Sequence, residues 1–230
     1  MTEMTPAPLL VLLCALVGLA AAPASQAAAL RLYPSIELGG GRWRSVASLA
    51  GTPILFGAMA WRFGWSWVLP AFLFLSAAGV VLSRIDLEHK LLPNRIVLPT
   101  LGIGVVLLLL DAGMNQRWGN LLAAAIGCTV TFVIYLILAL ISPRGMGMGD
   151  VKLSAPLGLY LGYISVGHLI LGIALGFIVG AVTSVLLVMA GFAGRKTSVP
   201  FGPSMFLGSI VAVLWGTDIG RIILPTVFTR

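Results

Sequence analysis

The sequence predicts an all-α fold, a polytopic transmembrane helix bundle of about eight spans with its N-terminus outside. Three observations predict it. Of the 230 residues, 59% are apolar and only 9% are charged, with a mean hydropathy of +1.07. A soluble domain carries roughly a quarter charged residues, so most of these side chains must face lipid or one another. The apolar residues are also gathered into runs, near 7–24, 46–61, 66–83, 95–112, 119–142, 153–167, 168–192 and 201–217. Most of these approach the ~20 residues that cross a bilayer. Finally, the charges between runs favour alternate connections. With the N-terminus outside, Arg31, Arg42, Arg44, Arg84, Lys90, Arg95, Arg144, Lys152, Arg195 and Lys196 fall on the cytoplasmic side. Only Arg62, Arg117, Arg221 and Arg230 fall elsewhere. That is the bias of the positive-inside rule, and it explains the net charge of +7 without nucleic acid. Residues 1–230 therefore read as one integral membrane domain, with the first span peripheral and no soluble domain.

Each run has its own justification. The first, in "PAPLLVLLCALVGLAAAPASQA", resembles a signal-peptide core, but its flank holds Glu3 and no Lys or Arg. A signal peptide has a basic flank, so a retained span is expected. The stretch "ELGGGRWRS" at 37–45 reads as a flexible loop before the second run. Trp61, Trp65, Trp67, Trp118 and Trp215 lie near span ends, where amphipathic rings favour the headgroup zone. Pro93 and Pro99 are expected to end or kink helices. The run at 153–167 is short and glycine-rich. Pro200, Gly202 and Pro203 read as a rigid turn into the last span. Cys14 and Cys128 lie inside apolar runs with no C-x-x-C spacing, and read as small buried hydrophobes.

Seven acids occur. Glu3, Glu37, Asp111 and Asp218 fall in termini, loops or outer span ends, where solvation explains them. Asp86, Glu88 and Asp150 fall at the cytoplasmic face. Asp86, in "DLEHKLLPN", follows the third span, where a helix C-terminus disfavours negative charge. Asp150, in "SPRGMGMGDVKL", precedes an apolar run and would serve as a helix N-cap. Gly145, Gly147 and Gly149, however, alternate with Met146 and Met148, which suggests a sharp bend or a close approach to another chain. Two spans separate Asp86 from Asp150, so both can share one face. Two carboxylates in one low-dielectric site cannot both ionise easily. Such a pair can polarise a carbonyl and activate water. His89 and His168 read as a loop residue and an outer-turn residue, without partners for a metal site or nucleophile relay.

These blocks resemble the type IV prepilin peptidases, membrane aspartic proteases of the GxGD class. "GMGMGDVKL" is similar to the segment around one catalytic aspartate, here Asp150, and "IDLEHKLLPN" to that around the other, here Asp86. "RLYPSIEL" at 31–38 and "PFGP" at 200–203 resemble two further family blocks. The resemblance covers roughly 31–217. It implies an aspartic endopeptidase of the bacterial inner (plasma) membrane, multi-pass, with its active site facing the cytoplasm. Its substrates would be prepilins or pseudopilins, from which a short basic leader is removed. Gly147 and Gly149 would give the substrate backbone clearance, Lys152 would contact substrate or the dyad, and Glu88 would attract the leader. Arg144 reads as a topology charge only. Many relatives also carry a cytoplasmic domain with paired C-x-x-C motifs and N-methylate the new pilin terminus. That region is absent here, so the chain reads as a short form needing no cofactor and no metal, and methyl transfer is not carried over. Asn94 stands where many members have a second acid.

Two rival readings stay open. A presenilin-like or signal-peptide-peptidase-like protease has a Tyr-Asp pattern, which Asp86 lacks. A non-catalytic membrane scaffold, or an ion-coupled transporter with a glycine-broken helix, would hold acids near the bilayer midplane.

Overall fold

In the structure, a computed structural model, residues 8–32, 42–142, 146–191 and 200–223 are described. They form eight α-helices: α1 (Pro8–Leu32), α2 (Arg42–Phe63), α3 (Leu69–His89), α4 (Asn94–Asn115), α5 (Trp118–Ile141), α6 (Met148–Ile164), α7 (Val166–Met189) and α8 (Gly202–Ile223). Each corresponds to one apolar run, and no strand occurs among the described residues. Six helices, α1, α3, α4, α5, α7 and α8, are long and apolar enough to cross a membrane. The other two fall short. α2 includes Arg42, Arg44 and Arg62, and α6 has only 17 residues. Glu3, Glu37, Arg144, Gly145, Arg195 and Lys196 lie outside the described residues.

The helix limits depart from the apolar runs for local reasons. α1 continues beyond residue 24 because "AAAPASQAAAL" is rich in alanine, the strongest helix former. α2 begins at Arg42, inside the stretch read as a loop. α3 runs past residue 83 to His89, so Asp86 and Glu88 lie within the helix rather than after it. Arg84 and Glu88 sustain that last turn as a pair four residues apart, Nε to Oε1 3.1 Å. Lys90 then ends the helix in the left-handed conformation, its N–H donating to the Asp86 carbonyl at 2.8 Å.

The bundle surface is oily. Leu122, Ile126, Val130 and Ile137 on α5 and Ile178, Val182, Val185 and Leu186 on α7 are all exposed. An apolar surface of this extent suits hydrocarbon, where helices satisfy their own backbone groups. α6 is the exception, because it is enclosed by α4, α5, α7 and α8 and every residue from Leu153 to Tyr163 is buried. Small residues let α5 approach it. A Cβ placed on Gly127 would lie 2.6 Å from the Gly158 carbonyl oxygen, and one on Gly162 would lie 2.7 Å from that of Ala123. Cys14 is buried and Cys128 half-buried, both as free thiols.

Consecutive helices reverse direction, so the bundle has two ends. The α3–α4 turn, the start of α6 and the start of α8 meet at one end. The α2–α3, α4–α5 and α6–α7 turns lie at the other, where Asn120 Nδ2 donates to the Tyr163 carbonyl at 2.9 Å and Arg62 Nε ties α2 to the Val213 carbonyl of α8 at 3.1 Å. All five tryptophans noted above lie at this second end and are exposed.

Candidate functional site

Asp86 sits in the last turn of α3, where its charge faces the unfavourable end of its own helix. A second helix compensates. The start of α8 packs against it, and the Gly202 N–H donates to Asp86 Oδ2 at 2.9 Å. The side chain of Asp86 thus lies at another helix's N-terminus, where backbone N–H groups favour an anion. A Cβ on residue 202 would stand 2.7 Å from that oxygen, so only glycine allows the approach. Sequence reasoning saw "PFGP" as a turn and did not connect it with Asp86.

Asp150 lies in the first turn of α6, and the N-cap is Gly147 rather than Asp150 itself. Asp150 Oδ2 accepts the Gly147 N–H at 3.1 Å, so the capping role is present. Both aspartates are buried, Asp86 to 4% exposure and Asp150 to 9%. Neither has an ion-pair partner among the described residues. Burial holds the Asp150 carboxyl up at about 6, with the Gly147 N–H pulling it down and the Asp86 charge pushing it up.

Leu92 joins the two. Its Cβ lies 3.0 Å from the place a Cβ would take on Gly149, and its Cδ1 lies 3.5 Å from the equivalent place on Gly202. One leucine therefore wedges between the helix starts that hold the carboxylates. The glycines differ accordingly. Gly149 leaves room for Leu92, whereas a Cβ on Gly147 would come no nearer than an ordinary 3.5 Å, to Asp150 Oδ2. Met148 is exposed beside them. Lys152 Nζ donates to Asn94 Oδ1 at 3.0 Å, fastening the start of α6 to the start of α4. Glu88, expected to attract a substrate leader, has a side chain only 4% exposed and spends its charge on Arg84. Arg84 Nη1 also reaches Gln26 Oε1 at 2.7 Å.

Beside Asp86 lies an apolar hollow of about 130 Å³ between α7 and the start of α8. Leu87, Val179, Thr183, Pro203 and Leu207 are among its walls.

The opposite end corrects the solvated reading of Asp111, which is completely buried. Its Oδ2 accepts from Tyr163 Oη at 2.5 Å and its Oδ1 from Asn115 Nδ2 at 2.7 Å. Arg117 adds an ion pair at 3.7 Å. His168 is also buried. Its Nδ1 lies 2.7 Å from Ser165 Oγ, the oxygen that caps α7. No three His, Cys, Asp or Glu side chains among the described residues are grouped to hold a metal.

The type IV leader peptidase family matches residues 73–216, a segment holding both aspartates and Gly202. The chain is similar to the prepilin leader peptidase/N-methyltransferase of Stutzerimonas stutzeri, with 34% identity over 85% of this chain and 63% of that protein. A protein of that name from Pseudomonas aeruginosa is 33% identical over 82% of this chain and 60% of its own length. One from Xanthomonas campestris pv. campestris is 36% identical over 73% and 58%. The chain thus spans about three-fifths of the length of these curated relatives. No solved structure matches it.

Proposed function

The chain belongs to the type IV leader peptidase family, and from that premise we propose that it is a membrane aspartic endopeptidase. It removes the short basic leader from prepilins or pseudopilins at the cytoplasmic face of the bacterial inner membrane. The observation that supports the reading is that two buried aspartates flank Leu92, each held by one backbone N–H and neither paired with a cation among the described residues. Groups so placed share a proton, one ionised and one not. The ionised carboxylate takes a proton from water as that water attacks the scissile carbonyl. The protonated one donates to the carbonyl oxygen, and the amine leaves with a proton when the tetrahedral intermediate collapses.

Several features support the substrate class. An intact helix hides each carbonyl in a bond to an N–H four residues on, so its first turn must open before cleavage. The missing side chain at Gly147 would let such a backbone approach, and the hollow between α7 and α8, walled in part by Leu87, would take the following apolar segment. Glu88 is a weaker attractor for the leader than its sequence position suggests, because Arg84 already pairs with it. An ion-coupled transporter would place its acids near the bilayer midplane, whereas Asp86 and Asp150 stand at helix ends.

Purified protein in lipid, mixed with a prepilin from the same genome, tests the reading. Leader removal should fall by roughly 10²–10⁴-fold or more in Asp86→Asn and in Asp150→Asn, each folded as the parent. Efficient processing by either variant rejects the pair.

A further inference from the structure

Beneath Asp150, in the middle of the bundle, α5, α6, α7 and α8 enclose a small void lined by four hydroxyl-bearing side chains, Thr131, Tyr135, Ser154 and Ser209. We infer that this void is a binding site for one water molecule, held by the Tyr135 hydroxyl and the oxygens of Thr131, Ser154 and Ser209.

The hydrogen-bond inventory carries the inference. Thr131 Oγ1 donates to the Gly127 carbonyl at 2.6 Å, Ser154 Oγ to that of Val151 at 2.7 Å, and Ser209 Oγ to that of Met205 at 2.8 Å. Each hydroxyl has spent its only hydrogen and keeps lone pairs for the void. Tyr135 is the complement. It is 2% exposed, packed on Phe177 with ring centroids 5.3 Å apart, and its hydroxyl makes no hydrogen bond to the described residues. The lining thus offers three acceptors and one donor. A water that gives two hydrogens and accepts one matches that set. The space open to the centre of a water-sized sphere is about 10 Å³, close to what one ordered water requires. A dry void is apolar throughout, whereas here Leu157, Leu161, Ile173 and Met205 share the lining with the four hydroxyl-bearing side chains.

Tyr160 supplies the internal contrast. Its hydroxyl is equally buried and also lacks a partner, but it is sealed by protein atoms and lines no such void. Ser154 stands one turn after Asp150, ~6 Å along the helix, so the water lies directly below the candidate site. The site exists whether or not the two aspartates cleave peptides.

X-ray radiolytic labelling in lipid, read by mass spectrometry, tests this without any assay of activity. Radicals formed from bound water oxidise the side chain that holds it. Tyr135 should be oxidised about tenfold faster than Tyr160, as expected for a site that retains ordered water. After mixing with ¹⁸O-water, its label should exchange slowly. Ser209→Val, which fills the void, should bring Tyr135 to within about twofold of Tyr160. Equal labelling of Tyr135 and Tyr160 in the parent protein overturns the inference, and so does unchanged Tyr135 labelling in a folded Ser209→Val. The first comparison needs no variant.

Discussion

The two ends of the bundle treat a buried aspartate in opposite ways. At one end Asp111 is saturated. Tyr163 from α6, with Asn115 and Arg117 from the end of α4 and the turn after it, converge on its two oxygens. At the other end Asp86 and Asp150 each accept a single bond, from a backbone N–H, and pair with no cation among the described residues. A carboxylate bonded through both oxygens is an anchor, since any change of charge or position breaks several bonds at once. One held by a single amide keeps an oxygen available, and burial raises its proton affinity. Burial alone therefore does not mark a reactive acid. Burial with incomplete satisfaction does.

The largest expected effects separate activity from stability across these ends. Where Asp86→Asn and Asp150→Asn abolish leader removal and leave folding intact, Asp111→Asn should do the reverse. It keeps the shape but turns one acceptor into a donor facing Tyr163 or Asn115, a loss of about 1–3 kcal/mol. Thermal unfolding in lipid or detergent should show the lowered transition, while turnover per folded molecule stays near that of the parent. A drop in turnover with unchanged unfolding would erase the distinction.

Glycine substitutions sharpen the comparison within the reactive end. Gly202→Ala pushes a carbon into Asp86 Oδ2 and should cost roughly tenfold or more in turnover, as misplacing a reacting group does. Gly149→Ala presses on Leu92 and should cost less. Gly147→Ala meets no close atom and should leave unfolding unchanged. A titration of prepilin processing against unfolding for the three variants orders them, and a more severe effect at 147 than at 202 would contradict the geometry.

Stability should also carry a mark of Asp150. Its carboxyl is raised from 3.8 to about 6, so between those values the folded state holds a proton that the unfolded chain has released. Folding stability therefore falls as pH rises through that window and is fully present below it. Asp150→Asn should reduce this slope, leaving the part due to Asp86, which is also buried, and Asp111→Asn should leave it in place, when unfolding is followed from about pH 4 to pH 7. The smallest expected effect belongs to Asn94→Asp. It converts the bond to Lys152 into an ion pair at a partly exposed position, worth at most about 1 kcal/mol.

Much of this arrangement was legible before any coordinates. Eight apolar runs gave eight helices in order, and counting turns placed Asp86 and Asp150 at one end. The saturated end was not legible. Asp111 sits near the end of an apolar run, as a solvated acid would, and nothing local announces that Tyr163, fifty-two residues away, reaches back to it. The placement of Asp86 inside α3 was hidden because Arg84, Asp86 and Glu88 lower the hydropathy that marks a helix, while their pairing sustains it. Leu92 and Gly202 looked like ordinary loop and turn residues. Their importance lies in what they touch, and contact between remote segments has no period to read.

α6 carries Asp150 inside a sleeve of four other helices and shows lipid almost none of its surface. When bilayer thickness changes, the outer helices must tilt or stretch to match it, but α6 meets that stress only through its neighbours. On the proposed function, cleavage should therefore vary little between short-chain and long-chain lipids, because the helix that carries Asp150 stays level while the membrane around it does not.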